Sequence, residues 1–209
     1  MDVAGRPRCD HAPSSLPACG SLPRRPDPAR RLPPPPQEIS DGATALLTAG
    51  GMDGHGWANA WRALCWARPR NADKAHRLVV NNPRPSTGGS NGTAFDLFDI
   101  YRTEPVRGPF RIDAAFGAPA AVIEVLLYAR PGHIELLPAL PDAWAASGAP
   151  TGAPVRGGFA VDLRWRDDRP SPVRLHSTGG RTTTVTYGGL SRKVVLEPGA
   201  SVTLKEFTR

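Results

Sequence analysis

Phe110-Arg111-Ile112-Asp113-Ala114-Ala115-Phe116-Gly117 leads straight into an apolar segment, Ala118 to Arg130, and the rest of the chain is arranged around this stretch. Val122, Ile123, Val125, Leu126 and Leu127 give the segment the spacing of a helix with one apolar face. Pro119 stands at its expected first turn, where a missing N–H costs nothing, and Pro131-Gly132 stops it. Just ahead, Asp113 lies between Ile112 and Ala114, with Phe110 and Phe116 beyond. A carboxylate among apolar neighbours either satisfies free N–H groups at a helix start or is placed for chemistry. Local sequence leans to the first reading and leaves the second open.

Upstream, Trp57, Trp61, Leu64 and Cys65 recur at i, i+4, i+7 and i+8, which predicts a helix ending at Pro69 with these four on its buried face. A second helix follows from Asn71-Ala72-Asp73, with Asp73 as its expected N-cap and Ala75, Leu78 and Val79 buried. Two helices joined so closely suit an antiparallel pair in a bundle or helical barrel. The turn ahead of them, Gly51-Met52-Asp53-Gly54-His55-Gly56, is no nucleotide site, because it lacks the G-x-G-x-x-G order and a P-loop Lys. Its glycines let the backbone bend tightly beside something that needs His55 and Trp57 close by. Residues 82–109 are rich in Asn, Pro, Gly, Ser and Thr, the mark of a functional or mobile loop, with Phe95 and Phe98 as its anchors.

Downstream the period changes. His133 to Pro138 alternates as a strand, and Phe159 to Arg166 alternates over four repeats as one strand with a single buried face. After a turn at Asp167-Asp168-Arg169-Pro170, strands are expected at Pro172 to Ser177, Thr182 to Tyr187, Lys193 to Glu197 and Ser201 to Phe207. Three long helices followed by an antiparallel sandwich or sheet make an α+β chain, with too few helices to close a layer of their own.

The start of the chain is different again. Ten of the 24 prolines precede residue 37, and Arg24-Arg25-Pro26 through Pro33 to Pro36 can hold no helix. Residues 1–42 therefore read as a disordered Pro/Arg-rich segment, either a linker or sequence upstream of a truncated domain; a docking ligand for an adaptor is the other reading. No apolar h-region marks a secretory signal, and no compartment is read from that. The net charge of +7 is Arg scattered among Ala, Pro and Gly without a reader's aromatic-basic motif, so no nucleic-acid partner is expected. No run reaches the ~20 apolar residues that span a bilayer, so no membrane partner is expected either. Cys9, Cys19 and Cys65 have no metal-binding spacing, and neither a metal nor a cofactor is expected. Cys65 reads as a small core residue.

The order Gly54-His55-Gly56-Trp57-Ala-Asn-Ala-Trp61-Arg-Ala-Leu-Cys-Trp-Ala-Arg68, then Asp73-Lys-Ala-His-Arg-Leu78, then Phe95-Asp-Leu-Phe-Asp99 resembles the C-terminal third of glycoside hydrolase family 95. So do Phe110 to Gly117, Ile134 to Trp144 and Gly157 to Leu163, and the resemblance covers residues 43–205. The family consists of inverting α-L-fucosidases, some acting on α-L-galactosides. It implies that residues 43–132 are the last helices of an (α/α)6 barrel and residues 133–209 a C-terminal β domain.

On that resemblance Asp113 falls on the family's catalytic Asp, which acts with two Asn side chains to activate the attacking water while a separate Glu protonates the leaving oxygen. The Glu and both Asn come from earlier barrel segments; Glu104, Glu124 and Glu135 do not match the acid position. His55 and Trp57 are the implied substrate-binding residues, His55 as a hydrogen-bond partner of a sugar hydroxyl or as a stabiliser of its turn. Arg111 replaces a neutral residue, and Ala114-Ala115 replaces Gly-Asn, so a backbone needing φ > 0 at residue 114 would be strained. The implied partner is a fucosylated oligosaccharide or glycan, with a companion chain as one source of the missing barrel half. The rival reading is a non-catalytic remnant or carbohydrate-binding module.

Overall fold

The computed structural model describes residues 36–52, 54, 56–82, 112–205 and 207. The proline-rich arm before residue 36, His55, and the loop with Phe95, Phe98 and Glu104 lie outside the described residues.

Among the described residues there are four α-helices: α1 (Gln37–Ala49), α2 (Gly56–Ala67), α3 (Ala72–Asn81) and α4 (Ile112–Leu126). Helix α1 runs across the boundary drawn at residue 42 from composition, and none of its residues is buried. Helices α2 and α4 lie side by side and run in the same direction. Ala60 meets Gly117, and about two turns further on the Arg68 guanidinium reaches the Glu124 carboxylate. Helix α3 folds back on α2 through a turn in which Arg70 takes φ 63°, placing the Lys74 ammonium 4.0 Å from the centre of the Trp66 ring. Ala63, Trp66, Ala67, Ala75, Leu78, Ala121 and Val125 form the core between the three.

Three local expectations change here. The buried face of α2 is Gly56, Asn59, Ala60, Ala63, Trp66 and Ala67, whereas Trp57, Trp61, Leu64 and Cys65 are half-buried. Close approach of the helices is the cause: a Cβ on Gly117 would lie 2.9 Å from that of Ala60, so the contact takes the small-residue face and leaves the larger side chains at its margin. Cys65 is disulfide-bonded. The N-cap of α3 is Asn71, whose side chain accepts the Lys74 N–H at 3.1 Å; Asp73 sits in the first turn, where its charge suits the helix dipole.

A further change concerns the central stretch itself. Helix α4 is described from Ile112 and contains Pro119 in its interior. Pro119 is exposed, so the carbonyl deprived of its N–H partner is near solvent. The helix stops at Leu126, and the four residues expected to continue it form strand β1 (Leu127–Arg130). Leu127 and Ala129 are buried and Tyr128 and Arg130 half-buried, a period of two that pairing with β2 (His133–Leu136) enforces across the Pro131-Gly132 turn.

Nine further strands follow: β3 (Ser147–Gly148), β4 (Ala153–Val155), β5 (Phe159–Asp162), β6 (Trp165–Arg166), β7 (Arg169–Pro170), β8 (Val173–Ser177), β9 (Thr182–Tyr187), β10 (Leu190–Val195) and β11 (Ser201–Leu204). One sheet has the order β1-β2-β9-β10, antiparallel except for the parallel pair that sets Ile134 against Val185. A second, wholly antiparallel sheet has the order β11-β8-β5-β4. Leu127, Ile134, Leu136 and Val185 from the first share one core with Phe159, Val161, Val173 and Leu175 from the second, the packing of a β-sandwich.

The single strand expected over 159–166 is broken. Leu163 is fully buried and its N–H bonds the Pro150 carbonyl, so the chain leaves the second sheet and enters a small third one, β3-β6-β7. Asp167 and Asp168, at φ 51° and 61°, form the two-residue turn between β6 and β7. Helix α4 joins the two halves: Ala121 and Val125 belong to the helical core and Leu126 to the sandwich.

Candidate active site

Asp113 occupies the first described turn of α4. Its Oδ1 accepts the N–H of Ala114 at 2.8 Å, at the end of the helix where free N–H groups and the dipole favour an anion. The carboxylate is exposed, because its apolar neighbours point outward with it: Ile112 is 51% and Phe116 70% exposed. Among the described residues, the apolar surroundings inferred from sequence are thus an open face. Ala114 and Ala115 are helical and take no positive φ, so the strain expected from the missing Gly-Asn does not arise.

Because α2 and α4 run in parallel, the start of α2 with Trp57 and the start of α4 with Asp113 lie at the same end of the helix pair. The contact of Ala60 with Gly117 sits about one turn in from each. Trp57 is half-buried there. Asn59 ties down the glycine-rich turn, its Nδ2 donating to the Gly54 carbonyl at 3.1 Å. A Cβ at Gly54 would lie 3.0 Å from Arg62 Nη1 and 3.3 Å from Asn59 Oδ1, so a side chain here would press on both and displace them by a few tenths of an ångström. Sequence reasoning missed Asn59; the available signal was a lone amide on an otherwise small, buried helix face.

Helix α3 returns antiparallel, which brings Asn82 to the level of Asn59. Asn82 is fully buried and Asn59 5% exposed, and neither Asn59 Oδ1 nor the Asn82 amide finds a hydrogen-bond partner among the described residues. Buried amides normally do. Among the described residues, this end of the helix layer thus holds buried amide groups without a hydrogen-bond partner.

The remaining described glutamates serve elsewhere. Burial raises the Glu124 carboxyl above its ordinary range, against the lowering effect of Arg68 and Arg156. A raised carboxyl suits a general acid, but Glu124 is eleven residues along α4 from Asp113, about 16 Å at the helical rise. An inverting carboxyl pair stands roughly 6.5–9.5 Å apart. Glu124 is also paired with Arg68, and Glu135 is paired with Arg70 at 2.7 Å. Among the described residues no group of three His, Cys, Asp or Glu side chains could hold a metal ion, and no helix is long and apolar enough to cross a membrane.

Comparison with known proteins divides the chain at the junction of α4 and β1. Residues 28–126 match the glycosyl hydrolase family 95 catalytic domain, and residues 129–207 match the glycoside hydrolase family 95 C-terminal domain. The chain is 33% identical over 178 residues to alpha-L-fucosidase 2 of Arabidopsis thaliana, a match covering 82% of this chain and 20% of that protein. It is 37% identical over 123 residues to the probable alpha-fucosidase A of Aspergillus oryzae, covering 53% of the chain and 16% of the relative. The corresponding protein of Aspergillus niger is 32% identical over 123 residues. The chain thus spans a fifth or less of the length of these relatives.

Proposed function

The chain belongs to glycoside hydrolase family 95, and from that premise we propose that it supplies the closing part of a catalytic domain that removes terminal α-linked L-fucose from glycans with inversion. Carrying this reading is the placement of Asp113: an exposed carboxylate at the start of α4, at the same end as Trp57 and the glycine-rich turn. In this role the carboxylate accepts a proton from the water that attacks the anomeric carbon. The opposite side of the sugar needs an acid, and inversion requires room for water between the two. Glu124 and Glu135 are each paired with an arginine, and neither they nor Glu104 match the family's acid, so on this reading the acid comes from a segment of the domain other than residues 36–207. His55 and Trp57 contact the sugar.

The same remainder, on a companion polypeptide or a longer one, covers the outward face of Ile112 and Phe116 and provides partners for Asn59 and Asn82. A second reading, a non-catalytic remnant, is favoured for the isolated chain by the lack of any acid near Asp113 among the described residues. Both are tested together. The pure chain should release no fucose from a 2′-fucosylated oligosaccharide, because water activation and leaving-group protonation each contribute about 10²–10⁴-fold. The Arabidopsis relative, with its own matching segment replaced by residues 36–207, should release it. Release by the isolated chain would refute the division of labour; an inactive but folded chimaera would leave the remnant reading standing.

A further inference from the structure

On the outer face of the second sheet, away from the helical site, three side chains form a continuous hydrogen-bonded relay. His176 on β8 lies opposite Ser201 on β11, and Asp162 on β5 stands diagonally across from it, opposite Arg174. His176 Nδ1 is 2.8 Å from Ser201 Oγ, and His176 Nε2 is 2.8 Å from Asp162 Oδ2. The other oxygen of Asp162 accepts the Gly152 N–H at 2.7 Å, which fixes the carboxylate from behind.

The protonation pattern follows from these partners. The hydrogen bond from His176, and after it the one from the Gly152 N–H, hold the Asp162 carboxyl below its ordinary range. An ionised carboxylate can only accept, so whenever the imidazole is neutral its single proton belongs on Nε2. Nδ1 is then a bare lone pair, and the Ser201 hydroxyl donates to it. Nucleophile, base and orienting carboxylate are the three parts of an activated serine, a constellation recognised by roles and geometry on unrelated folds. The two ring nitrogens are exchanged relative to the protease arrangement, which leaves the proton transfer unchanged.

A developing oxyanion also needs a donor. Strand β11 is the edge of its sheet. Ser177 donates its N–H to Ala200 and Ser201 pairs with His176, so Ser201 falls in the non-bonded pair of the antiparallel ladder. Its own N–H therefore points off the sheet edge, beside its Oγ. Arg174 adds positive charge on the same face, and the flanking Ala160 and Thr203 are small, leaving a shallow surface.

We propose that Ser201 and His176 form a second, acyl-transfer site that hydrolyses small esters such as O-acetyl groups on sugar hydroxyls, with Asp162 as the positioning residue. Ser201 Oγ bonds to the acyl carbon as its proton passes to His176 Nδ1. The ester C–O bond then breaks and the alcohol leaves with that proton. Water, deprotonated by His176, attacks the acyl-serine, releases the acid and restores Ser201. This site uses none of the groups in the glycosidase reading and stands independently of it.

The test is covalent labelling of the purified full chain with a fluorophosphonate, located by peptide mass spectrometry, together with hydrolysis of 4-nitrophenyl acetate. Ser201 should be the labelled residue in the native chain and unlabelled in urea. Loss of the base in His176→Ala should slow labelling by about 10²-fold or more. Asp162→Asn should slow it with the far-UV spectrum unchanged, and Asp162→Glu should restore part of the rate. A native chain that leaves Ser201 unlabelled, or labels it equally fast when unfolded or without His176, would overturn the assignment. The native-versus-urea comparison decides this even if a variant fails to fold.

Discussion

A methyl group on Gly148 has no room. An ideal Cβ there would lie 2.1 Å from Cη2 and Cζ2 of Trp165 and 2.7 Å from Cε2, where carbon atoms need about 3.5–4.0 Å. The two residues are register partners across β3 and β6, and the Trp165 ring is 6% exposed, held by its Nε1–H to the Trp144 carbonyl at 2.7 Å. Gly148 has no positive φ, so the backbone itself would accept alanine. Gly148→Ala must therefore push the indole outward by roughly 1.5 Å. Overpacking costs about 1–3 kcal/mol and the strained hydrogen bond about 1 more, so the variant should lose about 2–4 kcal/mol of stability. Urea unfolding followed by tryptophan fluorescence and far-UV circular dichroism would measure it. In a Trp165→Leu background the methyl has space, and its cost should fall below about 0.5 kcal/mol, as coupling between contacting residues requires. A loss under about 0.5 kcal/mol in the parent, or the same loss in both backgrounds, would show that the Trp165 ring does not exclude the methyl.

Asn71→Ala should destabilise α3 by about 0.5–2 kcal/mol, read from the urea midpoint, because the Lys74 N–H loses its acceptor. Phe116 at 70% exposure and Ile112 at 51% offer an open apolar face, so the isolated chain should bind ANS or self-associate, and Phe116→Ser should weaken both; a dye-silent monomer would count against that face being uncovered. Burial raises the Glu124 carboxyl, so the folded chain holds a proton that the unfolded chain releases, and Glu124's contribution to stability declines as pH rises from the ordinary carboxylate range. Glu124→Gln should remove that slope, gaining on the parent as urea midpoints are compared from acid to neutral pH; parallel curves would show that Arg68 and Arg156 fully offset the burial.

Much of this architecture was legible in the sequence, and the exceptions share a cause. Thr182 to Tyr187, expected as a strand from the regular spacing of the β segments, is β9 to the residue, and Ala75, Leu78 and Val79 are buried as their spacing requires. Leu127 to Arg130 looked helical because an apolar run does not reveal its own period; pairing with His133 to Leu136 decided it. The buried face of α2 was misjudged because large apolar residues were expected inside. Partner geometry chose Ala60 and Ala63, so that Gly117 could approach. Asp113 was visible as a lone acid, but its exposure was not, since that depends on which way Ile112 and Phe116 turn. Asn59, and the meeting of Asp162, His176 and Ser201 across three strands, depend on tertiary placement that spacing along the chain does not encode.

Asp113→Asn keeps its shape and most of its hydrogen-bonding ability but removes the negative charge that would take a proton from water. In the chimaera built on the Arabidopsis relative, kcat for fucose release should fall by at least about 10²-fold with KM little changed, as for an interaction made mainly in the transition state. Stability should fall by no more than about 1 kcal/mol, since the amide oxygen can still accept the Ala114 N–H and only the favourable charge at the helix start is lost. Retained turnover in the Asn variant, with only Asp113→Ala costing stability, would leave Asp113 as a residue that stabilises the first turn of α4 and nothing more.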